Sequence, residues 1–538
     1  MNFSRHTRAL LALGSGATLA LSFPNYDLRL LAWIALAMLV LASCGARPVV
    51  SPLYGFLHGL VFYPVCLPWI DVVMQQYGNV DPWSSAGILG LMAIAGGIVC
   101  SVFSFAVALA SRRSKVLACM LAPFLWVTLE FARTHLPIIG FPWNLTGYAA
   151  SGNLALVQLT PITGIYGLTF LIAAYGSLLG YAILRGSQRV WKTTLVVTAA
   201  LILIAVVGGH LLPQVTPDHV AHLVQTNFPQ SEHYPADWLE VHAGELDELE
   251  RISVNAAEKQ ATSGGSAAPG LIIWPEVPAP FSLQEVAFAE RASRIAREAD
   301  SYFLVGVVDW KLDAARKYYA TNSAVLLDPN GRRVFTYDKV HLVPFGEYVP
   351  LRQWIKFAGR LTADISDFTP GTEHRVGELR GIAGQAGRSG SSAASAGAED
   401  NFGTFICYEA IFPDEIRRFA KNGADLLINI SNDGWFGRSS APPQHLMMAR
   451  VRAVENRRWL LRDTNNGYTV DVDPYGRIVA SMPTDTRGEL DAPYAFRDDV
   501  TIYMRFGDWF SWLCVFASAA LLVFSARPTS TRKVEKGK

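Results

Sequence analysis

The stretch Thr404-Phe-Ile-Cys-Tyr-Glu409, a short apolar run that ends on a thiol, decides how the second half of this 538-residue chain folds. Similar runs of β-branched and aromatic residues lie at 220–224, 271–274, 303–308, 323–327, 403–407 and 426–430. Helical patterns lie between them near 236–258, 284–299, 412–422 and 442–456. Strands interleaved with helices predict a layered α/β domain in which helices cover the sheets.

Two further strand ends carry reactive side chains. In Leu271-Ile-Ile-Trp-Pro-Glu276, the proline ends the strand and leaves Glu276 at its edge. In 337–347, Lys339 and Glu347 stand on either side of an apolar turn. Because ligands gather at the carboxyl ends of strands in α/β sheets, we expect Glu276, Lys339 and Cys407 to form one site.

The three residue types fit nucleophilic catalysis. A thiol attacks only as the thiolate, so it needs a base, and a buried glutamate can take its proton and return it later. A charged lysine can stabilise the oxyanion of a tetrahedral intermediate. Two alternatives stay open at this point: Cys407 could be an inert buried thiol, or it could pair with His341. The other five cysteines lie in or beside apolar runs and are expected to be packing residues: Cys44, Cys66, Cys100, Cys119 and Cys514.

The first part of the chain is membrane-like. Only 17% of all residues are charged, and mean hydropathy is +0.23. Eight apolar runs predict eight membrane spans near 9–23, 28–43, 52–70, 86–110, 116–133, 162–184, 193–212 and 507–525. We therefore expect a seven-span membrane domain over 1–212, a catalytic domain over 213–506, and an eighth span with a basic tail over 507–538.

Basic residues predict the orientation, because cytoplasmic segments are enriched in Lys and Arg. With the N-terminus inside, the short outside loops carry only Arg29 and Arg133. The inside segments carry Arg5, Arg8, Arg47, Arg112, Arg113, Lys115, Arg185, Arg189, Lys192, Arg527, Arg532, Lys533, Lys536 and Lys538. The catalytic domain is therefore expected outside the cytoplasm.

The motifs WPEVP at 274–278, YDKVHLVPFGEYVP at 337–350 and ICYEAIFPDEIR at 406–417 resemble the Glu-Lys-Cys triad of the nitrilase superfamily. Joined to the apolar runs, the whole chain resembles the apolipoprotein N-acyltransferases. Further matching segments are GFPWNLTGY at 140–148, VQTNFPQ at 224–230 and NDGWFGRSSAPPQHLMMARVRAVENRR at 432–458. Departures from the family pattern occur at Thr226, Phe228, Asp463, Asn466 and Tyr468, and 381–400 looks like an insertion.

The resemblance implies a nitrilase-like αββα sandwich on a multi-pass α-helical membrane bundle. It makes Cys407 the nucleophile, Glu276 the general base and acid, and Lys339 the oxyanion stabiliser. Glu347 is expected to orient Lys339, and Tyr408 and Glu409 to shape the pocket. It also suggests a substrate mouth near the lipid surface with Phe141, Trp143, Trp354 and Phe357, and a lid over 351–361.

The implied reaction has two stages. An acyl chain passes from a membrane phospholipid to Cys407, and then to the free amine of the diacylglyceryl-cysteine of an apolipoprotein. The implied location is the bacterial inner membrane, with the catalytic domain on the periplasmic side and the enzyme a monomer. No cofactor is expected, and the net charge of +1 gives no general attraction to nucleic acid. A metal site is not expected either, because His219 and His222 would point to opposite faces of a strand.

Two rival functions remain. A membrane-anchored amidase or nitrilase would use the same triad and pass the acyl group to water, but it would need one span at most. A transporter with a sensor domain would need charges inside its spans, where Glu130 is the main candidate.

Overall fold

The computed structural model describes residues 3–136, 140–231, 234–262, 270–348, 368–380 and 400–527. The predicted lid at 351–361, with Trp354 and Phe357, lies outside these ranges, as does nearly all of the predicted insertion. The described chain forms a helical bundle and a two-sheet domain, joined by a continuous apolar core.

The bundle consists mainly of α-helices. They are α1 (Arg5–Ala20), α2 (Ala32–Ser43), α3 (Pro52–Cys66), α4 (Trp69–Gln76), α5 (Pro82–Arg113), α6 (Lys115–His135), α7 (Leu154–Val157), α8 (Thr160–Thr163), α9 (Ile165–Arg185) and α10 (Gln188–Val207). After the two-sheet domain, α16 (Ile502–Phe506) leads into α17 (Trp509–Ala526), which packs against α5 and α6.

Eight spans are not confirmed. Among the described residues, five helices are long and apolar enough to cross a membrane, namely α5, α6, α9, α10 with its following turn, and α17. A sixth span results if α3 and α4 are one broken element, since they meet at 54°. Pro64 lies inside α3 and Pro68 lies between the two helices, which explains the bend.

The first two predicted spans form shorter helices. At about 1.5 Å per residue, the 16 residues of α1 and the 12 of α2 fall short of a hydrocarbon core of roughly 30 Å. Buried Arg8 of α1 donates to the carbonyl oxygens of Ala42 at 2.7 Å and Cys44 at 2.8 Å. The guanidinium thus satisfies carbonyl groups at the C-terminal end of α2 and pairs the two helices antiparallel.

The two-sheet domain contains two six-stranded sheets. The first has the order β12-β1-β2-β3-β4-β5, with β1, β2 and β3 parallel, and the second has the order β11-β10-β9-β8-β7-β6, with β7, β8 and β9 parallel. The strands are β1 (His219–Gln225), β2 (Gly270–Ile273), β3 (Ser301–Leu312), β4 (Tyr318–Leu327), β5 (Arg333–Asp338), β6 (Val376–Glu378), β7 (Asn401–Ile406), β8 (Leu426–Ser431), β9 (Trp459–Thr464), β10 (Val470–Val472), β11 (Ile478–Ser481) and β12 (Gly488–Tyr494).

The sheets face each other, and helices cover their outer faces, as the sequence predicts. Leu223, Ile273, Phe405 and Leu427 belong to one buried cluster between the sheets. Alternate residues such as Ile272 turn the other way, into a cluster with helix α13. The helices of this domain are α11 (Trp238–Val241), α12 (Ala243–Thr262), α13 (Val286–Glu298), α14 (Pro413–Lys421) and α15 (Ala441–Asn456). The architecture is an αββα sandwich.

One apolar core spans the bundle and the two-sheet domain. Met448, Val451 and Val454 of α15 lie in the same buried cluster as Trp69 and Trp143 of the bundle. Burying α15 on both sides explains why its sequence lacks a single polar face, unlike α14. The second sheet is thereby seated on the membrane helices.

Asp471 of β10 is fully buried, and neither of its carboxylate oxygens has a hydrogen-bond partner in the described part of the chain. Burial, with the nearby Asp473 carboxylate, raises the pKa of Asp471 to about 9. The folded state therefore holds a proton that the unfolded state releases, so this residue lowers stability as pH rises toward 9. We expect Asp471→Asn to raise the thermal unfolding midpoint in detergent at about pH 8, and by less at about pH 5.

The exposed Glu290 offers a matched control, since Glu290→Gln removes a charge without changing a buried group. An equal gain for Asp471→Asn at both pH values would show that Asp471 is ionised in the folded protein.

Candidate active site

The three predicted catalytic residues come together where three strands end. Glu276 follows β2, Lys339 follows β5 of the same sheet, and Cys407 follows β7 of the facing sheet. Lys339 Nζ lies 3.0 Å from Glu276 Oε1, and both side chains are buried. Cys407 is also buried, and both charges act on its thiol.

Glu276 is held by three donors. Its Oε1 accepts from Lys339 Nζ and from Asn322 Nδ2 at 2.8 Å, and its Oε2 accepts from the backbone N–H of Asn432 at 2.9 Å. Gly306 of β3 passes directly behind it, where a Cβ would lie 2.4 Å from the carbonyl oxygen of Pro275. These contacts from the described residues therefore fix the carboxylate in position.

Glu347 completes the surroundings of Lys339. Its Oε1 accepts from Lys339 Nζ at 2.9 Å and from Asn322 Nδ2 at 2.8 Å, and its Oε2 accepts from the backbone N–H of Val343 at 2.7 Å. Burial lowers the pKa of Lys339, but the carboxylates of Glu276 and Glu347 outweigh it and hold that pKa well above its ordinary value. Lys339 is thus a permanent cation at neutral pH.

The backbone is strained at three residues in or beside this site. Cys407 has a φ of +48°, Val277 beside Glu276 has +23°, and Phe345 near Glu347 has +62°. Non-glycine residues rarely adopt such angles, and Val277 is β-branched, which makes its value more costly. Strain that clusters around reacting groups indicates that the surrounding packing fixes them for a function.

The Cys407 thiol is protonated in the resting site. Burial, followed by the charge of Glu276, raises its pKa far above the ordinary value, and the opposing effect of Lys339 is smaller. A protonated thiol is a poor nucleophile, so the site needs a base at the moment of attack. Glu276 is the carboxylate whose charge acts most strongly on the thiol.

Tyr408 and Glu409 follow the nucleophile in a 3₁₀ turn, Cys407–Ile411. Glu409 Oε2 accepts from the backbone N–H of Ile406, and its Oε1 accepts from Tyr337 Oη and from the N–H groups of residues 340 and 341. Burial, with the charge of Glu415, raises the pKa of Glu409 to about 7. This carboxyl ties the Lys339 segment to the nucleophile turn.

Sequence comparisons cover nearly the whole chain. The model of the apolipoprotein N-acyltransferase N-terminal domain matches residues 15–178, and the carbon-nitrogen hydrolase model matches residues 235–495. The apolipoprotein N-acyltransferase of Geobacter metallireducens is 36% identical over 533 residues, which cover 97% of this chain and 96% of that protein. The one from Methylococcus capsulatus is 32% identical over 510 residues, or 93% and 92% of the two chains.

This chain belongs to the apolipoprotein N-acyltransferase family. It is therefore an acyltransferase, with a nitrilase-like domain and apolar helices that make it a membrane protein. Among solved structures it is similar to an amidase of the nitrilase superfamily from Nesterenkonia, at 20% identity and a TM-score of 0.36, over 55% of this chain and 96% of that one. A nitrilase-superfamily protein from Saccharomyces cerevisiae gives 18% identity and a TM-score of 0.35, over 52% and 90%.

The contacts of His341 do not support the alternative Cys407–His341 pair. His341 Nδ1 lies 2.8 Å from Glu415 Oε1, and its ring stacks on Phe412 at 3.7 Å. The groups that act on the thiol are Glu276, Lys339, Asp433 and Ser431. His341 is therefore committed to another partner.

Trp143 does not line an open mouth. Its side chain is buried, its Nε1 donates to Gln444 Oε1 at 2.7 Å, and its ring lies against Trp69, Phe436 and His445. The expectation of an interfacial aromatic at this position is wrong, because the ring fills the contact between bundle and sheet domain. Phe141 stacks on it at 5.9 Å.

Several residues of the site were not predicted. Asn322 donates to both carboxylates, Asn432 donates through its backbone to Glu276, and Asp433, His445 and Arg462 lie beneath Cys407. The segment 432–458 was recognised as a family motif without roles for its polar residues. The concentration of Asn, Asp, Gln and His around two buried strand ends was the signal available.

The predicted absence of a metal site meets one candidate cluster. Within the described residues, potential ligand atoms of His222, Glu489 and Asp491 lie within 4.8 Å of one another. His222 Nδ1 already lies 3.0 Å from both carboxylates, and the cluster sits on β1 and the edge strand β12. His219 pairs instead with Asp218, so the two histidines do not share a site.

The opposing charges around Cys407 give a test of the site. Because Glu276 raises the pKa of the thiol and Lys339 lowers it, Glu276→Gln should increase the thiolate fraction and Lys339→Met should decrease it. We expect alkylation of Cys407 by iodoacetamide at about pH 8 to become at least about ten-fold faster in Glu276→Gln and about ten-fold slower in Lys339→Met. Both variants should lose acyl transfer.

Cys407→Ala supplies the blank for the five other cysteines, which are all buried. A slower reaction of Glu276→Gln would mean that Glu276 already holds the thiol proton in the resting enzyme, contrary to the expected protonated thiol.

Proposed function

We propose that the enzyme transfers an acyl chain from a membrane phospholipid, through a thioester on Cys407, to the amine of the diacylglyceryl-cysteine of an apolipoprotein. The observation that carries this proposal is the buried Lys339–Glu276 pair acting on a protonated thiol at three converging strand ends. Family membership supports a lipid donor and a lipoprotein acceptor. The geometry supports the division of roles.

In the first half, Glu276 takes the Cys407 proton as the sulfur attacks the ester carbonyl of the phospholipid. The carbonyl oxygen becomes an oxyanion, which the permanent charge of Lys339 stabilises. The intermediate collapses by breaking the ester C–O bond, and Glu276 returns its proton to the departing alkoxide. The products are a thioester on Cys407 and a lysophospholipid.

In the second half, the neutral amine of the acceptor attacks the thioester carbonyl. Glu276 takes the proton that the new C–N bond releases, and Lys339 again faces the oxyanion. When the C–S bond breaks, the thiolate recovers a proton from Glu276, and the resting site returns. One carboxylate serves both halves because each half begins and ends with the same protonation state.

Glu347 keeps Lys339 charged and oriented, because it gives the buried ammonium a second carboxylate in addition to Glu276. Glu409 holds the nucleophile turn, and Tyr408 packs against both His341 and Phe412 beside it. Trp143 supports the site from the bundle side. Trp354, outside the described residues, is proposed as a lipid contact from the sequence alone.

The packing and the charges support the proposed membrane setting. We assign residues 1–212 to the membrane domain, 213–506 to the catalytic domain, and 507–538 to a last span and tail. Arg113 at the end of α5 donates to carbonyl oxygens at the end of α17, and Gly45 beyond α2 donates to Ser111 near the end of α5. These ends lie opposite the catalytic domain and carry Arg and Lys, as cytoplasmic ends do.

This charge distribution supports the proposal that the catalytic domain lies on the periplasmic side of the bacterial inner membrane. We propose that the enzyme works as a monomer, with phospholipid and lipoprotein both entering from the bilayer. Neither a metal nor an organic cofactor is needed, because the steps above require only proton transfer and charge stabilisation.

The proposal is tested with a phospholipid that carries a labelled acyl chain. Purified enzyme in detergent should acquire label that hydroxylamine removes, because thioesters are cleaved by hydroxylamine. Cys407→Ser should acquire no hydroxylamine-sensitive label under the same conditions. Hydroxylamine-sensitive label in Cys407→Ser would overturn the covalent step.

Adding a diacylated lipopeptide with a free N-terminus separates the transferase from the hydrolase. The expected product is the labelled N-acyl lipopeptide, with the same lipopeptide blocked by N-acetylation as the control. Release of free fatty acid with either lipopeptide would support the amidase-like rival instead.

A further inference from the structure

Two neighbouring residues of α15 face in different directions. Gln444 contacts the bundle, where its Nε2 donates to the carbonyl oxygens of Pro24 at 2.5 Å and Cys66 at 3.0 Å. His445 contacts the nucleophile, where its Nε2 lies 3.0 Å from the carbonyl oxygen of Cys407. Both side chains are completely buried.

The other ring nitrogen of His445 faces an ion pair. Its Nδ1 lies 3.2 Å from Asp433 Oδ1 and 3.2 Å from Arg462 Nη2, while Arg462 Nη2 lies 2.8 Å from Asp433 Oδ2. Burial, followed by the charge of Arg462, lowers the pKa of His445. The imidazole is therefore neutral at working pH.

The contacts assign the tautomer. A carbonyl oxygen can only accept, so the single proton of the neutral ring sits on Nε2 and is donated to Cys407. Nδ1 then accepts from Arg462, whose remaining hydrogen bonds hold Asp433. Asp433 Oδ1, which lies near Nδ1, can only accept, and it takes its hydrogen bond from Arg462 Nη2 at 2.9 Å.

This hydrogen bond fixes a strained peptide unit. Cys407 has a left-handed φ of +48°, which needs support from its surroundings. In a planar trans peptide, the carbonyl of Cys407 and the N–H of Tyr408 point in opposite directions. Holding the carbonyl on His445 therefore fixes the direction of the Tyr408 N–H, away from His445, as well as the Cys407 backbone.

Trp143 connects this arrangement to the bundle. Its indole stacks against the His445 ring, with centroids 5.7 Å apart and planes 24° apart. Its Nε1 donates to Gln444 Oε1 at 2.7 Å. The imidazole plane is thereby set by a residue of the membrane part rather than by α15 alone.

We propose that His445 is a positioning residue that holds the Cys407–Tyr408 peptide for acyl transfer and, through Trp143 and Gln444, couples the nucleophile to the membrane bundle. This inference rests on the proposed thioester function. His445 takes no part in proton transfer, since its one proton is committed to a carbonyl oxygen and its other nitrogen to Arg462.

The test compares two amide substitutions of similar polarity. In His445→Gln, the side-chain Nε2 can reach the Cys407 carbonyl, whereas the shorter amide of His445→Asn reaches only toward Asp433. We expect His445→Gln to keep acylation of Cys407 by labelled phospholipid within about three-fold of wild type, and His445→Asn to lower kcat about ten- to one-hundred-fold. KM for the phospholipid should change little in either variant.

The pH profile separates positioning from proton transfer. His445→Gln should keep the wild-type dependence of acylation on pH, because the residue does not titrate in the reaction. Loss of a limb of that profile in an otherwise active His445→Gln would overturn the proposal, as would equal activity of the Gln and Asn variants.

The wild-type enzyme distinguishes failure of the proposed function from failure of the positioning role alone. If wild-type Cys407 acquires no thioester, the proposed function fails; if it does and His445→Asn matches it, only the positioning role fails. Should His445→Asn not fold, the wild-type protein decides by nitrogen-15 histidine spectra, assigned with His445→Gln. A neutral ring with its proton on Nε2 from about pH 6 to about pH 9 supports the proposal, and a charged ring or the other tautomer overturns it.

Discussion

The site depends on the ion pairs that the buried ammonium of Lys339 forms with Glu276 and Glu347. A buried charge is tolerated only when neighbouring charges and hydrogen bonds replace its lost hydration. Here two carboxylates do so, and Asn322 donates to both of them, so that the three charged groups form one rigid cluster. Removing either carboxylate would leave the buried ammonium with a single counter-charge and Asn322 with one acceptor fewer.

The cluster also sets the state of the nucleophile. Burial, followed by the charge of Glu276, favours the protonated thiol of Cys407 over the thiolate, and the charge of Lys339 opposes this effect. Hydrogen bonds from Lys339 and Asn322 hold Glu276, the proposed base, in place. A resting thiol and a ready base are thus two consequences of one arrangement.

Much of the sandwich is predictable because its central strands are continuous apolar runs. Residues 271–274 and 426–430 lie in parallel strands covered on both faces, which is why they lack alternation and are easily recognised. Glu276 and Cys407 are predictable for a related reason, because each stands at the end of such a run, whereas Lys339 follows the mixed strand β5. Position at strand ends indicates Glu276, Lys339 and Cys407 as one site, and the family resemblance implies their roles.

What the sequence did not predict depends on contacts between distant segments. Asn322 lies in the middle of the chain and meets Glu276 and Glu347 only through the pairing of β4 with β5. The burial of Trp143 depends on α15, some 301 positions later. Hydropathy likewise detects apolar runs but not their length as helices, so it counted eight spans where α1 and α2 are short and α3 breaks from α4.

With the proposed mechanism, an acyltransferase that has a hydrolase-like domain must keep water from its thioester, and the burial of this site suggests how. Cys407, Glu276 and Lys339 are each less than a tenth exposed, so water reaches the reacting atoms poorly. An acceptor anchored in the same bilayer has a high effective concentration at the site, as tethered reactants do. Seating the second sheet directly on the bundle, through the apolar core that α15 shares with Trp69 and Trp143, keeps the site beside that membrane supply. In this view, transfer to an amine requires that the two-sheet domain be joined to the helical bundle. The triad alone would not keep the site beside the membrane.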